Sequence, residues 1–265
     1  MKKITILMSA VIIAAFAFTG CKKEEKKPAD AVGEQKITAI YFGGTWCPPC
    51  GANGKPAKEN LKTEFGNKVN IISCQINGST PDPMNNADAN AFAQVFGVRS
   101  VPTMFLGGGN GLIASVGGSS SMSASCITKG NEIKGLTAVA SCDASLSLSG
   151  DNLTINTTTK FYADQPEEYF IAAYITENGL NYVQASDGSA HKDMHDFVIR
   201  SKASLSITGD LISNNNKKGD SKTKTFNTVL NSTWNKSNLY VTSVIWRKNP
   251  DGLVTICNSS SKKLN

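Results

Sequence analysis

Two cysteines separated by two prolines, in Trp46-Cys47-Pro48-Pro49-Cys50, stand at the end of an apolar run from Ile37 to Phe42. No other feature restricts the fold as tightly. A helix that starts at the first cysteine turns its unpaired N–H groups and the positive end of its dipole toward that sulfur, which favours a thiolate. The second thiol is then near enough to close a disulfide or to release a mixed one. Half of a zinc site has the same spacing, but zinc takes four ligands. The sequence holds no second such pair, and its two histidines, His191 and His195, stand far downstream. No metal and no cofactor is expected.

A second segment points the same way. In Gly97-Val98-Arg99-Ser100-Val101-Pro102-Thr103-Met104-Phe105-Leu106 a proline opens an apolar strand. X–Pro is the bond where cis costs only about 0.5–1 kcal/mol. A proline there has no N–H for the ladder and leaves the adjacent backbone free to pair with an extended substrate. A trans Val-Pro entering an edge strand fits the same residues. Together with the dithiol, the segment resembles the thioredoxin superfamily over roughly residues 36 to 130. That resemblance implies a mixed sheet flanked by helices and a cis Pro102. It makes Cys47 the exposed nucleophile and Cys50 the resolving thiol, with Trp46 shielding the pair and Val101 and Pro102 docking the substrate.

The patterning supplies the elements of such a domain. Strands are expected at Ile37 to Gly43 and Val69 to Ile76, and an antiparallel pair at Thr103 to Leu106 and Leu112 to Val116. Helices are expected from about Cys47, with Pro56 kinking or restarting the first, from Asn86 to Phe96, and between Ser120 and Ile133. Beyond residue 136 the texture changes to short β-branched and aromatic runs. These are Ala144 to Leu148, Leu153 to Thr157, Tyr169 to Thr176, Tyr182 to Gln184, Phe197 to Arg200, Ala203 to Ile207, Thr223 to Val229, Leu239 to Trp246 and Leu253 to Cys257. Turn signals such as Ser149-Gly150-Asp151-Asn152 separate them, which predicts an antiparallel β-sandwich. His191 to His195 reads as a polar hairpin tip with one packed histidine, since i and i+4 stand far apart along a strand.

The N-terminus gives an address. Lys2 and Lys3 precede an apolar run from Ile4 to Phe18 that ends in Thr19-Gly20-Cys21. The order of charged, apolar and small residues marks a signal peptide, and the run is short for a membrane span. The cysteine after Thr-Gly resembles the bacterial lipobox, which implies a lipid (palmitate or a similar acyl chain) on Cys21 as the membrane anchor. An ordinary secretory signal, or an anchor helix with an incidental cysteine, is the other reading. Cys21-Lys22-Lys23-Glu24-Glu25 resembles the export signal of surface-exposed Bacteroidetes lipoproteins, so the periplasmic face and the cell surface both stay open. The expected organisation is a signal peptide at 1–20, a charged tether at 21–35, a thioredoxin-like domain at 36–135 and a β-sandwich domain at 136–265. This layout resembles the outer-membrane-protein-28-related lipoproteins of Bacteroidetes, as do Tyr169 to Gly179 and His195 to Arg200.

Without the signal peptide the chain keeps 25 basic and 21 acidic residues. Its lysines are dispersed and not striped with aromatics, which argues against nucleic-acid binding. Six cysteines remain beyond Cys21: Cys47, Cys50, Cys74, Cys126, Cys142 and Cys257. Cys74 is expected as a buried thiol, a Cys142–Cys257 bridge between the first and last strands of the sandwich is plausible, and the pairing of Cys126 is open.

In the thioredoxin pattern a buried acid six residues before the first cysteine helps deprotonate the second; here Tyr41 holds that position. Pro48 and Pro49 also remove two N–H groups that could stabilise a Cys47 thiolate, and a less stabilised thiolate makes a less oxidising couple. The expected function is an envelope thiol–disulfide oxidoreductase, a reductase or isomerase more than an oxidant, acting on cysteine-containing envelope proteins. The competing class is a surface binding or adhesion lipoprotein whose β-sandwich carries the function.

Overall fold

A computed structural model describes residues 33–109, 112–186 and 188–264. The expected signal peptide, Cys21 and residues 22–32 of the expected tether lie outside these residues. The last residues expected in the tether belong to the fold instead: Gln35 is buried and donates to Cys257 O at 3.2 Å, and Glu34 pairs with Lys68 at 3.0 Å. The first half begins with β1 (Ile37–Gly43), followed by a helical turn from Pro48, a π-helical stretch Cys50–Gly54 and α1 (Lys55–Phe65). Then come β2 (Val69–Gln75), α2 (Ala87–Val95), β3 (Thr103–Gly108), β4 (Leu112–Gly117) and α3 (Met122–Lys134). Every residue of β1 and β2 is buried, which is why both strands read as nearly continuous apolar runs. β2 pairs parallel to β1 with Val69 opposite Ile37, and β3 pairs antiparallel to it with Met104 opposite Tyr41. Pro56 sits in the first turn of α1, where the helix changes from the π-helical stretch to α, so it restarts the helix and does not end it. Asn86 caps α2 by accepting the N–H groups of Asp88 and Ala89 at 3.1 and 2.9 Å.

The second half is built of strands: β5 (Ala140–Ser149), β6 (Asn152–Phe161), β7 (Glu168–Glu177), β8 (Leu180–Ser186), β9 (Ser189–His195), β10 (Val198–Lys202), β11 (Asp210–Ser213), β12 (Ser221–Val229), β13 (Leu239–Lys248) and β14 (Val254–Lys263). Gly150, at φ 62°, makes the tight turn between β5 and β6. Two of these strands have no counterpart in the sequence reading. β9, which includes the His191 to His195 segment read as a hairpin tip, is polar with Lys192 and Asp193 at its centre, and β11 is four residues long. The strand expected at 203–207 is instead a run of bends. There Ser204 Oγ donates to Ser206 O at 2.8 Å and Leu205 N donates to Asp210 Oδ1 at 2.8 Å. Side chains that satisfy the backbone locally compete with a ladder, and Leu205 is left 90% exposed.

The strands of the two halves share one sheet. Nine strands run in the order β14-β13-β7-β10-β2-β1-β3-β4, with β11 beside β7, and the described residues make one compact unit. The joint is the short pairing of Val198 in β10 with Ser73 in β2. The sandwich therefore borrows one of its two layers: a three-stranded sheet, β12-β6-β5, covers one face of β7 and β13 around Ile155, Phe161, Tyr169, Ile171, Phe226 and Ile245. On β1 and β2 the corresponding odd-numbered side chains, including Ile37, Tyr41 and Ile71, pack under α1 and α3. The other face is a single core from both halves, where α2 places Phe92 among Phe42, Tyr174, Val244, Trp246 and Ile256. The sheet curls far enough that a Cβ on Gly107 of β3 would lie 2.8 Å from Ile256 of β14.

Candidate functional site

The chain leaves β1 at Gly43 and turns through Gly44, Thr45 and Trp46 into the cysteines. Asp82, on the loop after β2, fixes the turn by accepting Thr45 N–H at 2.6 Å and Met84 N–H at 2.9 Å. Trp46 donates its indole N–H to Ile76 O at 2.8 Å. Its ring lies against Gly44 and Gly78, where any Cβ would collide with it. Trp46 thus braces the turn against the loop after β2.

Cys47 and Cys50 are joined by a disulfide, with their Cα atoms 5.2 Å apart. The peptide bond Val101–Pro102 is cis, and Val101 O lies 3.8 Å from Cys47 Sγ. Pro102 packs between two glycines that leave room for it; a Cβ on Gly54 would lie 2.9 Å from Pro102 Cβ and meet the Tyr41 hydroxyl more closely still. Cys50 N–H points at both Cys47 O (3.0 Å) and Cys47 Sγ (3.2 Å). With prolines at 48 and 49, it is the first N–H of the helix available to that sulfur.

An exposed Cys47 is not what the fold produces. Cys47 retains 3% of its surface and Cys50 1%, and it is Pro48 and Pro49 that face solvent. The reason is the β8–β9 hairpin. Ala185 N–H donates to Thr45 O at 2.7 Å, and the Ala185 carbonyl stands where a side chain on Gly51 would go. Gln184, 4% exposed, sends its amide nitrogen toward Gly44 O at 3.2 Å, Thr45 O at 3.4 Å and Cys47 O at 3.3 Å. Asp193 on the facing strand pairs with Lys55 Nζ at 3.0 Å. The alternation of Tyr182 to Gln184 marks a strand, but nothing in it signals a partner about 140 positions away.

Behind the dithiol lies a buried polar cluster without a carboxylic acid at its centre. Burial, reinforced by the charge of Asp82, pushes the Tyr41 phenol well above its ordinary range. Lys58 is 5% exposed, with Nζ 4.6 Å above the Tyr41 ring and 3.2 Å from Ser73 Oγ. Burial pulls its ammonium down to about 8 against the opposing charge of Asp196. Of the two histidines, His195 is buried at 3% and His191 exposed. Burial and then the Lys58 charge keep His195 below its usual value of 6.5.

The remaining described cysteines are free thiols. Burial raises Cys74 well above the ordinary thiol range and lifts Cys126, Cys142 and Cys257 to about 12. The Cys142–Cys257 bridge does not form. Cys142 Sγ points at Ser243 O (3.5 Å) and Ser260 Oγ (3.6 Å), while Cys257 is packed into the core between the two sheets.

Residues 89–264 match the family of outer membrane protein Omp28. Among solved structures, the chain is similar to HBP35 of Porphyromonas gingivalis, with a TM-score of 0.69 at 16% identity over 87% of this chain and 76% of that one. It is also similar to a structural-genomics target from Agrobacterium tumefaciens, with a TM-score of 0.54 at 15% identity over 89% of this chain and 97% of that one. No curated protein matches the sequence. The matched family segment begins after the dithiol, so Cys47 and Cys50 stand outside it.

Proposed function

From a chain that belongs to the outer membrane protein Omp28 family, and is therefore a protein of the bacterial outer membrane, we propose a thioredoxin-like thiol–disulfide oxidoreductase held there by a lipid on Cys21. One observation carries the reading: a disulfide at the start of a helix stands beside a cis Val101–Pro102, with Val101 O 3.8 Å from Cys47 Sγ. In the reduced protein the Cys47 thiolate attacks one sulfur of a substrate disulfide, forming a mixed disulfide and releasing the other sulfur as a thiolate. The Cys50 thiol, after losing its proton, attacks Cys47 Sγ. The second substrate sulfur then leaves, and the Cys47–Cys50 disulfide forms. Two electrons pass from the dithiol to the substrate, and a dithiol donor of the envelope returns them. An extended substrate segment pairs with the backbone at Val101, where Pro102 supplies no N–H of its own.

Direction follows from the turn. With two prolines between the cysteines, only the Cys50 N–H reaches Cys47 Sγ, and no basic side chain enters the dipeptide. The couple belongs nearer the reducing end of the roughly −270 to −120 mV range of this fold. Trapping tests the reading. Cys50→Ser keeps the attack and removes the resolving step, so non-reducing electrophoresis of acid-quenched cells should reveal adducts between Cys47 and envelope proteins. Pro102→Thr should accumulate them too. The adducts must vanish in the Cys47→Ser, Cys50→Ser double variant. If neither single variant traps a partner, the dithiol is no enzyme centre, and a binding function carried by the strands takes its place.

A further inference from the structure

Within that oxidoreductase reading, which it presupposes, we propose that Gln184 is a positioning residue for the dithiol. Its amide decides how the Cys50 N–H is shared between the Cys47 carbonyl and the Cys47 sulfur, and so how reactive Cys47 is. The sharing is visible in the turn. Cys50 N–H has two acceptors at comparable reach, Cys47 O at 3.0 Å and Cys47 Sγ at 3.2 Å, and Cys47 O also accepts Gly51 N–H at 3.4 Å. Pro48 and Pro49 contribute no N–H, so a Cys47 thiolate has no other first-turn donor to fall back on. Gln184 Nε2 lies 3.3 Å from the same Cys47 O. A donor there satisfies the carbonyl and leaves the Cys50 N–H to the sulfur, where a charge-assisted bond is stronger.

Its placement fits a role beyond packing. Gln184 is 4% exposed and comes from a strand far away in sequence. Its nitrogen is nearest to Ala185 O, at 2.8 Å, and is also within reach of Gly44 O and Thr45 O, the two carbonyls that carry the chain into the cysteines. One amide hydrogen serves Ala185 O and the second faces the carbonyls of the turn. The hairpin is held there independently of the amide, by Ala185 N–H on Thr45 O and by the Asp193–Lys55 ion pair. The amide can therefore be removed without releasing the hairpin. The charged and titratable groups around the turn are Asp82 after β2, Lys55, Lys58 and Glu59 on α1, Tyr41 on β1, Asp193 and His195 on β9, and Asp196 just after it. All of them stay in place when Gln184 alone is changed.

The test uses the full chain, reduced, with two substitutions of similar size. Gln184→Met removes the donor; Gln184→Glu replaces it with an acceptor. The pH profile of Cys47 alkylation by iodoacetamide, followed by mass mapping, and the reduction potential against glutathione are the readouts. Losing one hydrogen bond's worth of thiolate stabilisation should slow Gln184→Met alkylation about three- to tenfold below the wild-type midpoint and make the couple more reducing. Gln184→Glu should shift both further. Asp193→Asn, which loosens the hairpin but keeps the amide, should leave the profile within about twofold of wild type. Profiles and potentials unchanged in both Gln184 variants would overturn the proposal, and so would a shift in Asp193→Asn as large as theirs. Reduction of insulin by the wild type, measured in parallel, separates the two claims. If insulin is untouched while the profile shifts, the enzyme reading falls, and what is left of the proposal is the effect of Gln184 on Cys47 alkylation alone. If insulin is reduced and the profile stays, Gln184 alone is discarded.

Discussion

At the scale of single residues the site is defined by absences that the sequence displays openly. Pro48 and Pro49 withhold N–H groups, Tyr41 stands where the thioredoxin pattern has an acid, and Gly54 withholds a side chain. Gly54 is the least expected of these, because its reason is spatial: the Tyr41 hydroxyl and Pro102 occupy the space a Cβ would take. Gly54→Ala should therefore cost about 1–3 kcal/mol of stability as an overpacked position and, under the proposed oxidoreductase function, should slow turnover by shifting Pro102. Adding Tyr41→Phe removes the nearest clashing atom and should restore part of both. Denaturant unfolding of the single and double variants checks this, and equal midpoints for the two would show that the hydroxyl is not the obstacle. Cys47, Cys50, Trp46, Val101 and Pro102 were all legible as a constellation, because each belongs to a short local pattern. Gln184 and Lys58 were not, since their meaning comes from what lies across the fold; one packed histidine was expected, and the structure shows it to be His195.

Among the elements, legibility followed the source of stability. β1, β2, α2, β3, β4 and α3 lie within a residue or two of where periodicity puts them, because each has one apolar face or none that is polar. The hairpin of β8 and β9 went half unseen. It gains its place from hydrogen bonds to the dithiol turn and from Asp193 on Lys55, and such contacts leave no hydrophobic period. The same hairpin carries a pH dependence. Burial holds His195 below 6.5 in the folded chain, so the unfolded chain binds this proton more readily. Stability is lost as pH falls below 6.5, where the unfolded state takes up the proton and the folded state resists it. His195→Gln should flatten that part of a melting-temperature profile. Asp193, whose carboxylate is held below its ordinary 3.8 by Lys55 against the opposing effect of burial, acts only in more acidic solution. Matching slopes for wild type and variant below 6.5 would remove the imidazole as the cause.

For the molecule as a whole, the change of texture at residue 136 marks a change of element type more than a seam. Pairing of Ser73 N–H with Phe197 O at 2.7 Å and the shared core of Phe42, Phe92, Tyr174 and Trp246 bind the two halves into one sheet. Sequence patterns report which face of a strand is buried; they carry no record of which strand will be its neighbour. A fragment of residues 33–135 should therefore lack a cooperative thermal transition and near-ultraviolet dichroism, whereas the full chain should melt in one step. A fragment that melts cooperatively would make the halves separable domains. The four free thiols carry a consequence of their own. The envelope is an oxidising place, and an emerging chain offers it six thiols beyond Cys21. Cys47 and Cys50 are three positions apart and close the smallest loop, so they find each other first. Cys74, Cys126 and Cys257 are protected only once helices and strands have closed over them. Their survival is a race between burial and oxidation during export, decided by how fast the sheet closes and not by how stable it finally is.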